Sequence, residues 1–344
     1  MIPPLLRRLA LALLLALALV AGAAADPFEV ATYADLCKVG TGVDGWTADA
    51  DYIQTADIQC PAGSNFVPIG GEDDPFTGSY DGRGYVIRDL FIDISDREST
   101  GLFGEVEAVI TNVTLEEFSI TAGSGGVVGG LVGQIRGGVI ENCTAVSGTI
   151  FGPHYTGGGL IGYAESATIT DCHADVEILG GEGDVGGLIG TLDTSSAFNC
   201  SATRDVIGGG WATGGLVGSG LQATLARCYA SGNVRGYEDV GGLIGYYESG
   251  AGYSIEDCYA TGNVFSSGSV ARYCSAGGLI GRWNHYYFAS DGDIKNVYST
   301  GSVSAPVLPA EVVGGLIGQI KDDTGAVATA AYWDTETSGQ AASA

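Results

Sequence analysis

The apolar positions of this chain recur with a period close to 28 residues, not with the 3.6 of a helix or the 2 of a strand. The marker is Gly-Gly-Leu-Ile-Gly, cleanest at Gly241 to Gly245. Taking the glycine before the leucine, copies fall at 101, 130, 159, 187, 215, 242, 278 and 315, in steps of 29, 29, 28, 28, 27, 36 and 37. A period that survives so many times means one structural unit stacked on copies of itself. The phrase reads as a strand, with Leu and Ile in the core and the glycines admitting close backbone or a turn.

A second run follows in each unit, as in Ser254-Ile255-Glu256-Asp257-Cys258-Tyr259-Ala260. Its apolar residue and its cysteine stand three apart, as in Ile140/Cys143, Ile169/Cys172, Leu225/Cys228 and Ile255/Cys258. Strand side chains alternate faces, so two inward residues three apart require a bend between them. The bend residue is Asn112, Asn142, Asp171, Asn199, Asp257 or Asn296, with Arg227 the exception. Asn and Asp tolerate turn conformations and bond to nearby backbone. Beyond the bend, Cys143, Cys172, Cys200, Cys228 and Cys258 form an inward column of small thiols, continued by Val297 and Ala331. Packing as buried free thiols is one use of that column, and bridges between coils are the alternative. Units of this length without helical periodicity predict an all-β, single-domain parallel β-helix (solenoid) of about eight to nine coils of roughly 28 residues.

The start of the chain reads differently. Arg7 and Arg8, the apolar run Leu9 to Val20 and the small residues Ala21 to Ala25 describe a secretory signal over 1–25. Twelve apolar residues are too few to cross a bilayer, which needs about 20. The expected organisation is signal 1–25, N-terminal cap 26–65 and repeat domain 66–344. A secreted or cell-surface location follows, with no transmembrane segment in the mature chain. In an exported chain a local bridge between Cys37 and Cys60, the two cysteines of the cap, is the simplest use of both.

Composition narrows the function. Glycine is 58 of 344 residues, but it is periodic and interleaved with Leu, Ile and Val, unlike a disordered linker. A net charge of −26 with no basic stripe excludes nucleic acid as a partner. No motif marks a catalytic residue. Histidines are three, His154, His173 and His285, and no metal or nucleophile arrangement surrounds them. No cofactor or metal site is expected. Acidic turns such as Glu72-Asp73-Asp74, Asp291-Gly292-Asp293 and Asp322-Asp323 leave Ca²⁺ open without supplying a motif for it.

The Gly-Gly-Leu-Ile-Gly phrase, the Asp257-Cys258-Tyr259-Ala260-Thr261-Gly262-Asn263-Val264 run and the closing Tyr332-Trp333-Asp334-Thr335-Glu336-Thr337-Ser338-Gly339-Gln340 together resemble the GLUG-motif repeat proteins. The resemblance covers nearly all of the mature chain. It implies a secreted or cell-surface parallel β-helix of adhesin-like use, and it carries no shared catalytic residue. The chain departs from it by stopping four residues after Gln340, with little visible C-terminal cap.

Two places suggest binding. Tyr229, Tyr259, Tyr298 and Tyr332 follow the cysteine slot and point outward, as a sheet-stabilising stack or a platform for sugar rings. The two long steps insert residues after the Gly-Gly-Leu-Ile-Gly phrase in adjacent units. The inserted stretches hold Tyr246, Tyr247, Tyr253, Trp283, His285, Tyr286 and Tyr287. Stacked loops of this kind are the candidate ligand-binding site, and mutual packing of the aromatics is the alternative. The expected function is non-catalytic binding, adhesion or surface structure, toward carbohydrate or another surface protein. The alternatives are a polysaccharide-degrading β-helix enzyme and an element that self-associates end to end through open strand edges.

Overall fold

The structure is a computed structural model, and it describes residues 26–94, 97–123, 126–152, 155–250, 252–269, 274–285, 294–321 and 328–343. The expected signal segment lies outside these residues.

The chain winds as a parallel β-solenoid. One coil serves for the rest: strands Asp184–Gly186, Ile189–Asp193, Ser196–Phe198, Ser201–Ala202 and Val206–Ile207. Each pairs in parallel with its counterpart one coil on, so Ile161, Ile189, Val217, Ile244, Ile280 and Ile317 fall in one inward column. The strands before the Leu residues make a separate eight-stranded sheet, and eight strands in one stack enclose seven complete turns. The coil count expected from sequence was slightly higher because the N-terminal coils join the larger sheet without contributing to this narrow one.

The Gly-Gly-Leu-Ile-Gly phrase is not one strand. It is the corner between the narrow sheet and the next strand, which resumes at its Ile or Val. The glycines are there for space. A Cβ on Gly187 would lie 2.2 Å from the carbonyl oxygen of Gly215 and 2.9 Å from the Cβ of Ala202. Those are distances no side chain tolerates, so the two backbones meet only where both lack one. Leu188 and its equivalents then turn inward and are fully buried.

The Asn/Asp bends are as the three-residue spacing requires. Asn112, Asn142, Asp171, Asn199, Asp257 and Asn296 have φ between 52° and 56°, and Arg227 has 57°. The exception in side chain is therefore no exception in backbone. Asn and Asp accept this left-handed conformation at lower cost than other residues and bond locally. They also bond along the stack: Asn142 Nδ2 donates to Asn112 Oδ1 at 2.7 Å, Asn112 Nδ2 to Asp81 Oδ1 at 2.8 Å, and Asn296 Nδ2 to Asp257 Oδ1 at 3.0 Å.

The two ends are built differently from the middle coils. At the N-terminus Phe28–Val30 pairs with Asp51–Gln54, which pairs with Ser79–Asp81, so the cap region enters the stack itself. Thr32 and Asp35 form a capping box on the short helix Tyr33–Leu36, whose Leu36 is buried. Below it Tyr52, Phe76, Phe103 and Tyr80 run down the interior with centroids 5.3 to 5.9 Å apart. At the C-terminus the tail folds back. Gly315 N–H donates to Ala342 O at 3.0 Å and Ile317 N–H to Ser343 Oγ at 2.7 Å. The tail thus bonds to the last coil at Gly315 and Ile317, just past the final strand of the narrow sheet, Val313–Gly314.

Candidate functional site

Among the described residues, Tyr246, Tyr247, Trp283 and His285 lie on strands rather than on loops. The strands are Ile244–Ser249 and Ile280–His285, which pair in register with Tyr247 opposite Trp283 and Ser249 opposite His285. Alternation then sends every second residue inward. Tyr247, Trp283 and His285 are buried, at 1%, 0% and 1% exposure. Tyr247 Oη donates to Ala223 O at 3.0 Å, and Trp283 Nε1 donates to Ser249 Oγ at 2.8 Å. The Trp283 and His285 rings meet edge to face at 6.0 Å. Gly220 precedes Tyr247 in this column and leaves it room, since a Cβ there would be 3.2 Å from the Tyr247 ring. Leu192, Gly220, Tyr247, Trp283 and Ile320 are successive rungs of one inward column, so the large rings stand at ordinary repeat positions and pack there. These three residues are therefore packing, not a face open to ligand. Tyr246 and Tyr253 are half-buried, and Tyr246 Oη reaches Glu248 Oε2 at 3.1 Å. Tyr286 and Tyr287 lie outside the described residues.

Cys37 and Cys60 are thiols in this structure, as are all eight cysteines. Cys37 follows the cap helix and is exposed, while Cys60 is buried. The Cys60 thiol is pushed up to about 12 by burial first and by the proximity of Cys37 and Asp89 next. The two sulfurs thus share one neighbourhood unbridged. The column Cys143, Cys172, Cys200, Cys228 and Cys258 is buried throughout and unbridged. Cys172 and Cys200 donate to the carbonyls of Ile140 and Ile169 at 3.7 Å. Contact between adjacent thiols and burial raise Cys172, Cys200 and Cys258.

The outward column after the cysteines is Thr144, His173, Ser201, Tyr229, Tyr259 and Tyr298, with Tyr332 next in register. Tyr229, Tyr259 and Tyr298 stack face to face at 5.0 and 4.9 Å, with planes 3° and 1° apart. Faces that cover one another are closed to a sugar ring, so the column presents ring edges and hydroxyls instead. A second ladder joins Asp205, Asn233, Asn263 and Ser302. Asn233 N–H donates to Asp205 Oδ1 at 2.8 Å, Asn263 N–H to Asn233 Oδ1 at 3.0 Å and Ser302 N–H to Asn263 Oδ1 at 2.9 Å. Beside it a recess of about 310 Å³ is lined by Ile207, Arg235 and Phe265, with the Arg235 guanidinium 4.9 Å above the Phe265 ring.

Two buried carboxyls hold their protons more tightly than exposed ones. Burial pushes Asp184 up to about 6 and Asp239 up to about 7. They share a column with Ala212 between them. Both are engaged: Thr191 donates to Asp184 at 3.2 Å, and Ser275 to Asp239 at 2.7 Å. Arg282 Nη2 lies 3.0 Å from Asp239. Such satisfied buried groups tie the narrow sheet to the strand beyond its corner. Among the described residues no group of three or more His, Cys, Asp or Glu is placed to hold a metal ion, and no helix is long and apolar enough to cross a membrane.

Two further exposed aromatics lie on another corner. Tyr155 and Trp211 are 56% and 57% exposed and meet edge to face at 6.4 Å. Each stands three residues before a motif glycine, at a repeat position occupied by Gly183, Glu238 and Cys274 in other coils. Aligning the repeats at that position, instead of following the insertions, would have revealed them.

The GLUG motif matches this chain over residues 154–179, 209–235 and 236–264. Halomucin of Haloquadratum walsbyi (strain DSM 16790 / HBSQ001) is 36% identical over 167 residues, which is 45% of this chain and 2% of Halomucin's length. A crystallised protein of Bacteroides ovatus, provisionally named an immunoglobulin A1 protease, shares the fold. The likeness covers 72% of this chain and 80% of that one, with a TM-score of 0.59 and 20% identity. The chain is a carrier of GLUG-motif repeats wound into a parallel β-solenoid, as its repeated phrase implies.

Proposed function

We propose that this protein is a secreted or cell-surface scaffold with a non-catalytic binding or structural role. Its long outer faces meet an extended carbohydrate or a partner protein. The observation that carries this reading is the in-register repetition of the same outward groups. Tyr229, Tyr259 and Tyr298 make one ladder, and Asp205, Asn233, Asn263 and Ser302 make another. A surface that repeats every coil, about 4.8 Å apart, suits a ligand that is itself long and repetitive. Ring stacking in the first ladder and hydrogen bonds in the second keep those groups in place without a ligand, which lowers the ordering cost of binding.

The test is a screen of the mature chain, from Asp26, on a glycan array and on insoluble polysaccharides, with sugar release followed in parallel. Retention without release of sugar is the expected result. Steady release of new reducing ends would replace this reading with the polysaccharide-degrading one. Retention on no glycan would transfer the role to a protein partner or to structure alone.

A further inference from the structure

We propose that the recess at Arg235 binds the carboxylate of a uronic-acid residue in an extended acidic polysaccharide. The site lies on the ladder of Asp205, Asn233, Asn263 and Ser302, and its assignment rests on that ladder being a carbohydrate surface. Its place follows from the register. Ile207, Arg235 and Phe265 are successive outward rungs of one column. Ile207 is 46% exposed, Arg235 is exposed and Phe265 is half-buried. The Arg235 guanidinium lies 4.9 Å from the centroid of the Phe265 ring. A guanidinium held over a ring keeps its N–H edges free for a planar two-oxygen acceptor. Packed this way, it also loses less freedom when it binds.

Charge selects an anion. Carboxylates outnumber cationic side chains by 40 to 14 in this chain. Arg83, Arg88, Arg136, Arg204 and Arg282 each meet a carboxylate at 2.6 to 3.8 Å. Among the described residues the Arg235 guanidinium pairs with no carboxylate. The Asp205 carboxylate lines the same recess, but it accepts three hydrogen bonds from Asn233, at 2.8 to 3.3 Å. An exposed cation without a carboxylate partner is matched by an anionic group brought from outside. Repulsion from the rest of the chain is screened beyond about 8 Å at physiological ionic strength.

The surroundings select a sugar over an acidic peptide. The strand Val234–Gly236, which carries Arg235, is paired on both sides, by Val206–Ile207 and by Val264–Ser266. It has no open edge for a peptide backbone to join, so side chains alone face the ligand. Ile207 and Phe265 offer apolar surface to the C–H face of a pyranose. Asn263 Nδ2 spends one hydrogen on Asn233 Oδ1 at 3.0 Å, which leaves the other for a hydroxyl.

The probes are an oligogalacturonate and the same oligosaccharide with its carboxylates reduced to primary alcohols. Each is titrated into the mature chain by calorimetry at physiological ionic strength. The wild type should prefer the acidic form by about tenfold, the scale of one charge-assisted hydrogen bond. Arg235→Gln should lose that preference, with its affinity for the reduced form unchanged. Arg235→Lys keeps the charge without the planar fork and should recover part of the preference. Arg235 is exposed, so circular dichroism should be unchanged in both variants. Equal affinity of the wild type for the two forms would overturn the proposal and leave the carbohydrate surface standing. A preference that survives in Arg235→Gln would overturn it too, since another cation would then hold the carboxylate. Binding of neither form would remove the carbohydrate surface and this site with it. Tighter binding of an oligoglutamate than of the oligogalacturonate would reassign Arg235 to an acidic protein partner.

Discussion

Trp283 Nε1 donates a 2.8 Å hydrogen bond to Ser249 Oγ on the preceding coil, and the indole that makes it is fully buried. The pair joins the two coils that carry the longest insertions. Replacing Trp283 by Ala removes the largest buried side chain there and leaves Ser249 without its donor. The expected cost is about 3–5 kcal/mol. Urea unfolding should show the unfolding free energy falling by that amount, with hydrogen exchange accelerated first in the last coils, since a solenoid loses stability locally. A change below about 1 kcal/mol would mean that the coil collapses around the gap.

The bend residues separate backbone strain from side-chain bonding. Asn142 has φ 53° and bonds to Asn112. Asn142→Ala should cost about 1–2 kcal/mol, from a left-handed alanine and a lost ladder bond. Asn142→Gly relieves the backbone and forfeits only the bond, so it should lose less. Equal losses, measured by urea midpoints, would show that φ contributes nothing.

Asp184 makes stability depend on pH in a definite direction. Burial raises its pKa to about 6 in the fold, against about 3.9 in an unfolded chain. The folded state therefore binds the proton more tightly. Its stabilising effect is complete below about pH 4, is lost as pH rises through about 6, and is absent above. Asp184→Asn keeps the hydrogen-bonding shape without the charge. It should gain on the wild type by up to roughly 3 kcal/mol between pH 4 and 7. Parallel midpoint-versus-pH curves for the two proteins would exclude Asp184 as the titrating group.

Thiol accessibility tests the cysteine chemistry. In the folded, reduced protein only Cys37 is exposed, so mass spectrometry after brief alkylation should find a single label there. The column cysteines should label only after unfolding. Protein isolated from an oxidising compartment should show either that label or its loss. Loss, with a peptide joining Cys37 to Cys60, would establish the bridge expected for an exported chain.

The Asn/Asp bends were legible because they follow from a local rule. An apolar residue and a cysteine three apart cannot both face inward along a straight strand, so Asn142 and its equivalents had to bend. The aromatics near the insertions could be a binding face or mutual packing, and spacing along the chain does not choose between the two. Tyr247 and Trp283 are in register with Leu192, Gly220 and Ile320, which puts them on an ordinary inward rung. Gly220 leaves the Tyr247 ring room one coil away. The tyrosine column was legible as a column, but not the near-parallel stacking that closes its faces.

By itself the sequence determined the repeat, its period, the inward Leu, Ile and Cys columns, and the parallel β-solenoid. These depend on which residues recur and on the alternation of a strand, and both are written along the chain. Tertiary structure alone decided the rest. It set the sharp corner at Gly-Gly-Leu, where backbones from successive coils touch. It folded the chain's tail back onto the last coil through Ala342 and Ser343. It also brought Tyr155 to Trp211 across an empty glycine rung. Each of those contacts joins residues from different coils or distant segments, and their separation in space is set by the stacking of the coils rather than by any local preference of the residues that meet.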